Sequence, residues 1–230
     1  MSIGPNWIQE TIEAKDYRAF VGAPEEYDIN GALQFNLLIL LGLREHHKLL
    51  DVGCGSLRAG RLFVMYLAWG NYYGIDPERW LVEEAIEHEL SPGLSDLKQP
   101  QFSATVNFNA EPFGVTFDYV LCQSVYTHAP QWMITLSLRE AAKVLGEQGI
   151  FAATYMESED DNSDTDEWHY PFVTHFTRER MAELCSDAGL SYIHIDWHHP
   201  QFCRWFLACL PEYESGLRAA VNDAHQLRLA

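Results

Sequence analysis

The feature that most constrains this chain is a short apolar run that breaks into glycines, Leu49-Leu50-Asp51-Val52-Gly53-Cys54-Gly55. Apolar residues at consecutive positions, ended by glycine, describe a strand buried on both faces of a parallel sheet. Glycines then let the backbone turn tightly into a helix, leaving amide groups free for a ligand. Residues 57–69 carry Leu57, Leu62, Phe63, Tyr66 and Leu67 at roughly helical spacing. A second strand follows at Tyr72-Tyr73-Gly74-Ile75-Asp76. In doubly wound sheets ligands bind at the carboxyl ends of the strands, and an acid ending the second strand accepts ribose hydroxyls. Asp76 holds that place. Arg58 stands where a dinucleotide fingerprint has its third glycine, and no Lys-Ser/Thr pair follows the turn. The site therefore suits a nucleoside without a pyrophosphate or triphosphate.

The rest of the chain continues the alternation. A helix over 79–90 is ended by Ser91-Pro92-Gly93, and strands are expected at Phe102–Phe108, Phe117–Cys122 and Gly149–Met156. Pro130 starts a helix running to about Leu145, and Thr177 caps another that stops at Gly189. Leu190–Trp197 and Cys203–Leu210 are separated by too few residues for a crossover helix, so that pair is antiparallel. The expected fold is α/β: a doubly wound, mostly parallel seven-stranded sheet with an antiparallel closing hairpin and helices on both faces. Residues 1–45 form a helical lid, 46–212 the sheet domain and 213–230 a C-terminal helix.

Charge narrows the partners. The 230 residues hold 33 acids against 15 Lys+Arg, a formal net of −18, and a surface of that sign repels phosphate backbones and anionic lipid. No nucleic-acid or membrane partner is expected. The opening residues lack the charged and apolar regions of a signal peptide, and the longest apolar stretch, Leu33 to Leu43, is too short to span a bilayer. The expected location is the cytoplasm. The five cysteines, at 54, 122, 185, 203 and 209, are odd in number and lack CxxC spacing, which argues for reduced, packed side chains. Residues 157–167 carry seven acids and no apolar side chain and read as an exposed loop.

The first run resembles the first motif of class I S-adenosylmethionine-dependent methyltransferases, and Tyr73-Gly74-Ile75-Asp76-Pro77 resembles the second. Phe117-Asp118-Tyr119-Val120 with Gln123-Ser124-Val125-Tyr126-Thr127-His128 is similar to the fourth-strand segment, and Val144–Phe151 to the turn before the fifth. The resemblance covers about residues 48–210 and implies S-adenosylmethionine across the strand ends. It places Asp51, Gly53, Cys54 and Gly55 beside the methionine part of the cofactor, with Gln123 near them. Asp76 is then on the ribose, with Pro77 and Trp80 near the adenosine. Arg58, outside the common pattern, is assigned to the methionine carboxylate, and Asn109 to the adenine.

The acceptor is less constrained. His128, just beyond the fourth strand, is the candidate general base, or else a loop histidine bonded to backbone. Tyr126, Trp168, His169, Tyr170 and Trp197 are candidates for an aromatic substrate wall, or equally for core or surface positions. His46-His47 and His198-His199 lack i, i+4 ligand spacing, and Val120–Ser124 has no acid, so no metal is expected. Three functions remain open: a small-molecule methyltransferase, a protein or peptide methyltransferase docking through 157–175, and a non-catalytic cofactor-binding protein.

Overall fold

The structure, a computed structural model, describes residues 7–160 and 166–224. Helices α1 (Trp7–Glu13), α2 (Tyr17–Phe20) and α3 (Tyr27–Leu40) precede strand β1 (Leu49–Val52). Then come α4 (Gly60–Tyr66), β2 (Tyr72–Ile75), α5 (Arg79–His88), α6 (Pro92–Lys98), β3 (Gln101–Ser103) and β4 (Phe117–Cys122). The chain continues through α7 (Gln131–Val144), β5 (Leu145–Glu157), β6 (His175–Phe176) and α8 (Arg178–Asp187). It ends with β7 (Ser191–Ile195), β8 (Arg204–Cys209) and α9 (Glu214–Asp223).

Seven strands line up in the order β3-β2-β1-β4-β5-β8-β7. The pairs from β3 to β5 are parallel, whereas β8 runs antiparallel to both β5 and β7. This is the expected doubly wound sheet with its closing hairpin. The two-residue β6, which the sequence pattern does not announce, adds in parallel to the end of β5. Because side chains alternate across a strand, the sheet sorts its residues into two apolar layers. Leu49, Leu121, Ala152 and Leu207 face α3, α4 and α9, while Leu50, Val120, Phe151 and Phe206 face α7 and α8.

Local chemistry moved several boundaries. The third strand stops at Ser103 instead of Phe108. Beyond it, the Asn107 carboxamide binds Thr105 and the Asn109 backbone, and the Asn109 carboxamide binds the Glu111 amide. Such local bonds compete with a strand ladder, and Phe108 is turned to φ +60°. The first crossover helix starts at Gly60 because Leu57 sits at φ +56°. Ser91-Pro92-Gly93 begins α6 as well as ending the helix before it: Ser91 Oγ accepts from the Leu94 amide, and proline fits the first helical turn.

The N-terminal segment divides in two. Leu37 and Leu38 of α3 are wholly buried in the core, while α2 and the turn after it reach over the strand ends. Trp197 belongs to this arrangement and not to a substrate wall: its indole N–H donates to the Leu33 carbonyl at 3.1 Å, fastening α3 to the hairpin. Tyr126 is also core. It is fully buried between Phe151 and Phe206, and its hydroxyl donates to Ser137 Oγ at 2.9 Å. The residue follows β4, but its ring turns under the sheet, away from the strand ends. Tyr126→Ala is expected to cost about 3–5 kcal/mol in urea denaturation, as for deletion of a large core ring. Tyr126→Phe should cost only about 0.5–1.5 kcal/mol and leave ligand binding at the strand ends unchanged.

Candidate active site

The strand ends enclose a cavity of about 380 Å³, within the range of small-molecule sites. Its floor is the turn after β1. The Gly53 and Cys54 amides both donate to the Ile75 carbonyl, at 2.8 and 3.1 Å, which ties the turn to the end of β2. Gly53 (φ +70°) and Gly55 (φ +50°) lie in the left-handed region that favours glycine. A Cβ on Gly53 would stand 2.4 Å from Val125, and one on Gly55 3.1 Å from Val21. The backbone is thereby laid bare to the cavity.

Asp76 locks the turn in place. One carboxylate oxygen accepts from the Gly55 amide and the other from the Glu78 amide, each at 2.8 Å. Burial pushes its pKa up to about 6, against the pull of those two amides. Asp51 is buried beneath the turn, where Tyr72 donates its hydroxyl at 2.7 Å. Burial, with Asp76 nearby, lifts Asp51 to about 7 although the Tyr72 bond and Arg58 pull the other way.

Arg58 crosses the cavity from the same turn. Its guanidinium donates to the Val21 carbonyl, at 2.9 Å, and to Gln123 Oε1. Burial lowers its pKa. Among the described residues no carboxylate forms an ion pair with it. Gln123 Oε1 also accepts from Gln34, and the Gln123 amide nitrogen lies 2.8 Å from His199 Nε2. The guanidinium therefore joins Val21 to Gln123, and Gln123 extends the link to Gln34 and His199.

The opposite wall carries His128. Its Nδ1 lies 2.7 Å from the Phe172 carbonyl, which can only accept, so Nδ1 holds the proton and Nε2 keeps a lone pair. Burial holds the imidazole below the usual histidine range, partly opposed by the Phe172 carbonyl. The Tyr170 and Trp168 rings meet it edge-on, with centroids 4.8 and 5.7 Å away. Phe20 packs against Tyr170 at 5.7 Å, and the Tyr170 hydroxyl donates to the Phe20 carbonyl.

Of the residues singled out from the sequence, the cavity brings together Asp51, Gly53, Cys54, Gly55, Arg58, Asp76, Pro77, Gln123, His128, Trp168 and Tyr170. Trp80 does not line it; its ring packs against Phe20, behind the wall, and its N–H donates to Glu78. Asn109 does not line it either, because its carboxamide is spent on the Glu111 amide. Thr105, Val106 and Phe108 occupy that side instead. His169 does not line it; its ring meets Phe172 at a tilt of 46°, with centroids 5.4 Å apart. Gln34 and Val21 were missed by the sequence reading. Nothing in a helical pattern distinguishes a glutamine that faces a cavity from one that faces solvent.

Comparison with known proteins decides the family. The methyltransferase domain family matches residues 25–195. The chain belongs to that family. The methyltransferase is also similar to an S-adenosylmethionine-dependent methyltransferase from Clostridium acetobutylicum, at TM-score 0.63 and 15% identity over 88% of this chain and 99% of that one. Magnesium protoporphyrin IX methyltransferase from Synechocystis, solved with S-adenosylmethionine bound, superposes at 0.58 with 16% identity, over 91% and 86% of the two chains. An O-methyltransferase of neocarzinostatin biosynthesis, solved with S-adenosylhomocysteine and 1,4-dihydroxy-2-naphthoic acid, gives 0.55 and 18%, over 80% and 54%. The fold is that of the class I enzymes, and the cofactor of this methyltransferase is S-adenosylmethionine. Its lining fits: a glycine turn without side chains, a carboxylate at the end of β2 and a guanidinium with no ion-pair partner among the described residues share one cavity. Among the described residues no helix is long and apolar enough to cross a membrane.

Two measurements test the assignment of the floor. Asp76→Ala should weaken S-adenosylmethionine binding by about 1.5–3 kcal/mol in calorimetry, the loss expected for hydrogen bonds to a charged group. Gly55→Val should bind more weakly still while keeping its circular dichroism. Proton linkage gives the second test. Asp76 titrates near 6, above the ordinary carboxylate value, so the free protein takes up a proton as pH falls through that region. Ribose hydroxyls need the ionised form, and cofactor affinity should therefore decline as pH drops through about 6.

Proposed function

We propose that this methyltransferase acts on a small molecule, with His128 as general base and no metal ion. The observation that carries this reading is that the glycine turn and His128 line one cavity. S-adenosylmethionine, when bound, supplies a methyl group activated by its sulfonium. Asp76 takes the ribose hydroxyls, Arg58 the methionine carboxylate, and Asp51, ionised by the approach of a cation, offsets the positive amino end. The α2 segment and Tyr170 cover the cavity and keep water from the reacting atoms.

His128 has the proton arrangement the role requires. The Phe172 carbonyl holds the hydrogen on Nδ1, and among the described residues nothing pairs with Nε2. Its lowered pKa keeps the ring neutral at pH 7. A small acceptor agrees with the cavity volume and with the acceptor named for the Synechocystis relative, magnesium protoporphyrin IX. Of the acidic stretch 157–167, Ser158–Asp160, Asp166 and Glu167 are at or near the surface, and residues 161–165 lie outside the described residues. Glu157 itself is committed to Arg178 and Arg204.

His128→Ala should lower turnover by roughly 10²–10⁴ while calorimetric binding of S-adenosylmethionine is kept. The groups facing His128 are Tyr170, Trp168, His169 and the Phe172 carbonyl. With the pKa displaced downward, the wild-type rate should hold through neutral pH and fall only below the ordinary histidine range. Near-normal turnover in the alanine variant would remove the base.

A further inference from the structure

His199, in the turn between β7 and β8, does not line the cavity, yet it is buried against a side chain that does. Its Nε2 lies 2.8 Å from the Gln123 carboxamide nitrogen. That carboxamide is fully engaged. Its oxygen accepts from Arg58 and, at 3.2 Å, from Gln34, while its nitrogen donates to Ser124 Oγ at 2.6 Å and faces His199. A guanidinium can only donate, so the oxygen has to be the end that faces Arg58. The nitrogen then faces His199, whose Nε2 supplies a lone pair. The other ring nitrogen is met by the Gln201 amide at 3.2 Å. A neutral ring accepts at one nitrogen, and the shorter contact is the one to Gln123. With donors on both sides, an imidazolium has no acceptor there. Burial and the charge of Arg58 act in the same direction, holding the His199 pKa down to about 4.

We propose that Gln123, oriented by His199, is a positioning residue that holds Arg58 charged and aimed for the cofactor's carboxylate, and so selects a cofactor that carries one. This rests on the assignment of Arg58 to the methionine carboxylate above. The two acceptors that fix the guanidinium, the Val21 carbonyl and the Gln123 carboxamide, are both neutral. Asp51 lies within electrostatic reach, but among the described residues no carboxylate forms an ion pair with Arg58. A glutamate at position 123 could accept the same bonds from Arg58 and Gln34. It would also cancel the charge of the guanidinium and stand in for the ligand's own carboxylate. A neutral acceptor fixes the direction of the planar fork and leaves its charge for the ligand. Glutamine does this only while its amide end stays turned away, since a reversed carboxamide would set N–H against N–H. The His199 lone pair, with Ser124, holds that end.

Calorimetry with two ligands isolates the contribution of the carboxylate. S-adenosylhomocysteine and its decarboxylated counterpart, S-adenosyl-3-thiopropylamine, differ in that group alone. The wild-type protein should bind the former about tenfold or more tightly, as expected for hydrogen bonds between charged groups. Gln123→Glu should erase this preference, weakening S-adenosylhomocysteine and not the amine. His199→Phe and Gln123→Met should reduce it severalfold, again by weakening S-adenosylhomocysteine alone. A merely structural role would weaken both ligands together and leave their ratio unchanged. In an Arg58→Met background, His199→Phe should no longer alter the ratio. A wild-type ratio in folded His199→Phe or in either folded Gln123 variant, with the ratio lost in Arg58→Met, overturns the proposal and leaves the Arg58 assignment standing. A ratio near one in the wild-type protein, or one that survives Arg58→Met, overturns the Arg58 assignment and the proposal with it.

Discussion

The architecture of the site depends on the carboxylate of Asp76 reaching back to the amide of Gly55. That single 2.8 Å bond joins the end of β2 to the turn after β1. With the Ile75 carbonyl accepting from Gly53 and Cys54, it holds three successive residues of the turn in one conformation. The bond is made under burial, and the raised pKa measures the cost of that burial. A carboxylate kept in this state gains from a ligand that brings hydroxyl donors and positive charge. The free protein is thus prepared for its cofactor by an unfavourable placement of charge.

A second junction extends the same logic to the covering segment. Arg58 leaves the turn in a direction that lets one guanidinium nitrogen bond the Val21 carbonyl and another bond Gln123. Gln34, from α3, shares the Gln123 carbonyl oxygen, and Trp197 ties α3 to the hairpin. Floor, cover and closing hairpin are mechanically connected through polar groups buried near the cavity. Two of the cavity's lining residues, Phe108 and Ser124, neither of them glycine, have φ near +60°. Ser124 is held there by Thr154 Oγ1, which accepts from its amide at 2.8 Å. Such conformations persist only where surrounding contacts enforce them.

Much of the sheet was legible because its signals are local. Leu49–Gly55 specifies a buried strand and a turn by composition alone, and the short link before Cys203 dictates an antiparallel pair. The position of Asp76 follows from the strand that it ends. The acceptor side was less legible because its residues meet only in three dimensions. Tyr126 and Tyr170 are both aromatic residues in segments after strands. One is drawn under the sheet by Phe151, Phe206 and Ser137, and the other is held over the cavity by Phe20 and His128. Asn109 looked suitable for adenine, yet a local turn consumes its carboxamide. The Phe172 carbonyl that sets the tautomer of His128 lies 44 residues away and has no sequence signature.

The most direct test of the central claim is a crystal structure of the protein with S-adenosylhomocysteine. The account places both ribose hydroxyls on the Asp76 carboxylate and the homocysteine carboxylate on the Arg58 guanidinium, with the sulfur between the glycine turn and His128. A ligand seated away from the β1 turn, or one whose ribose leaves Asp76 bonded only to Gly55 and Glu78, would contradict it.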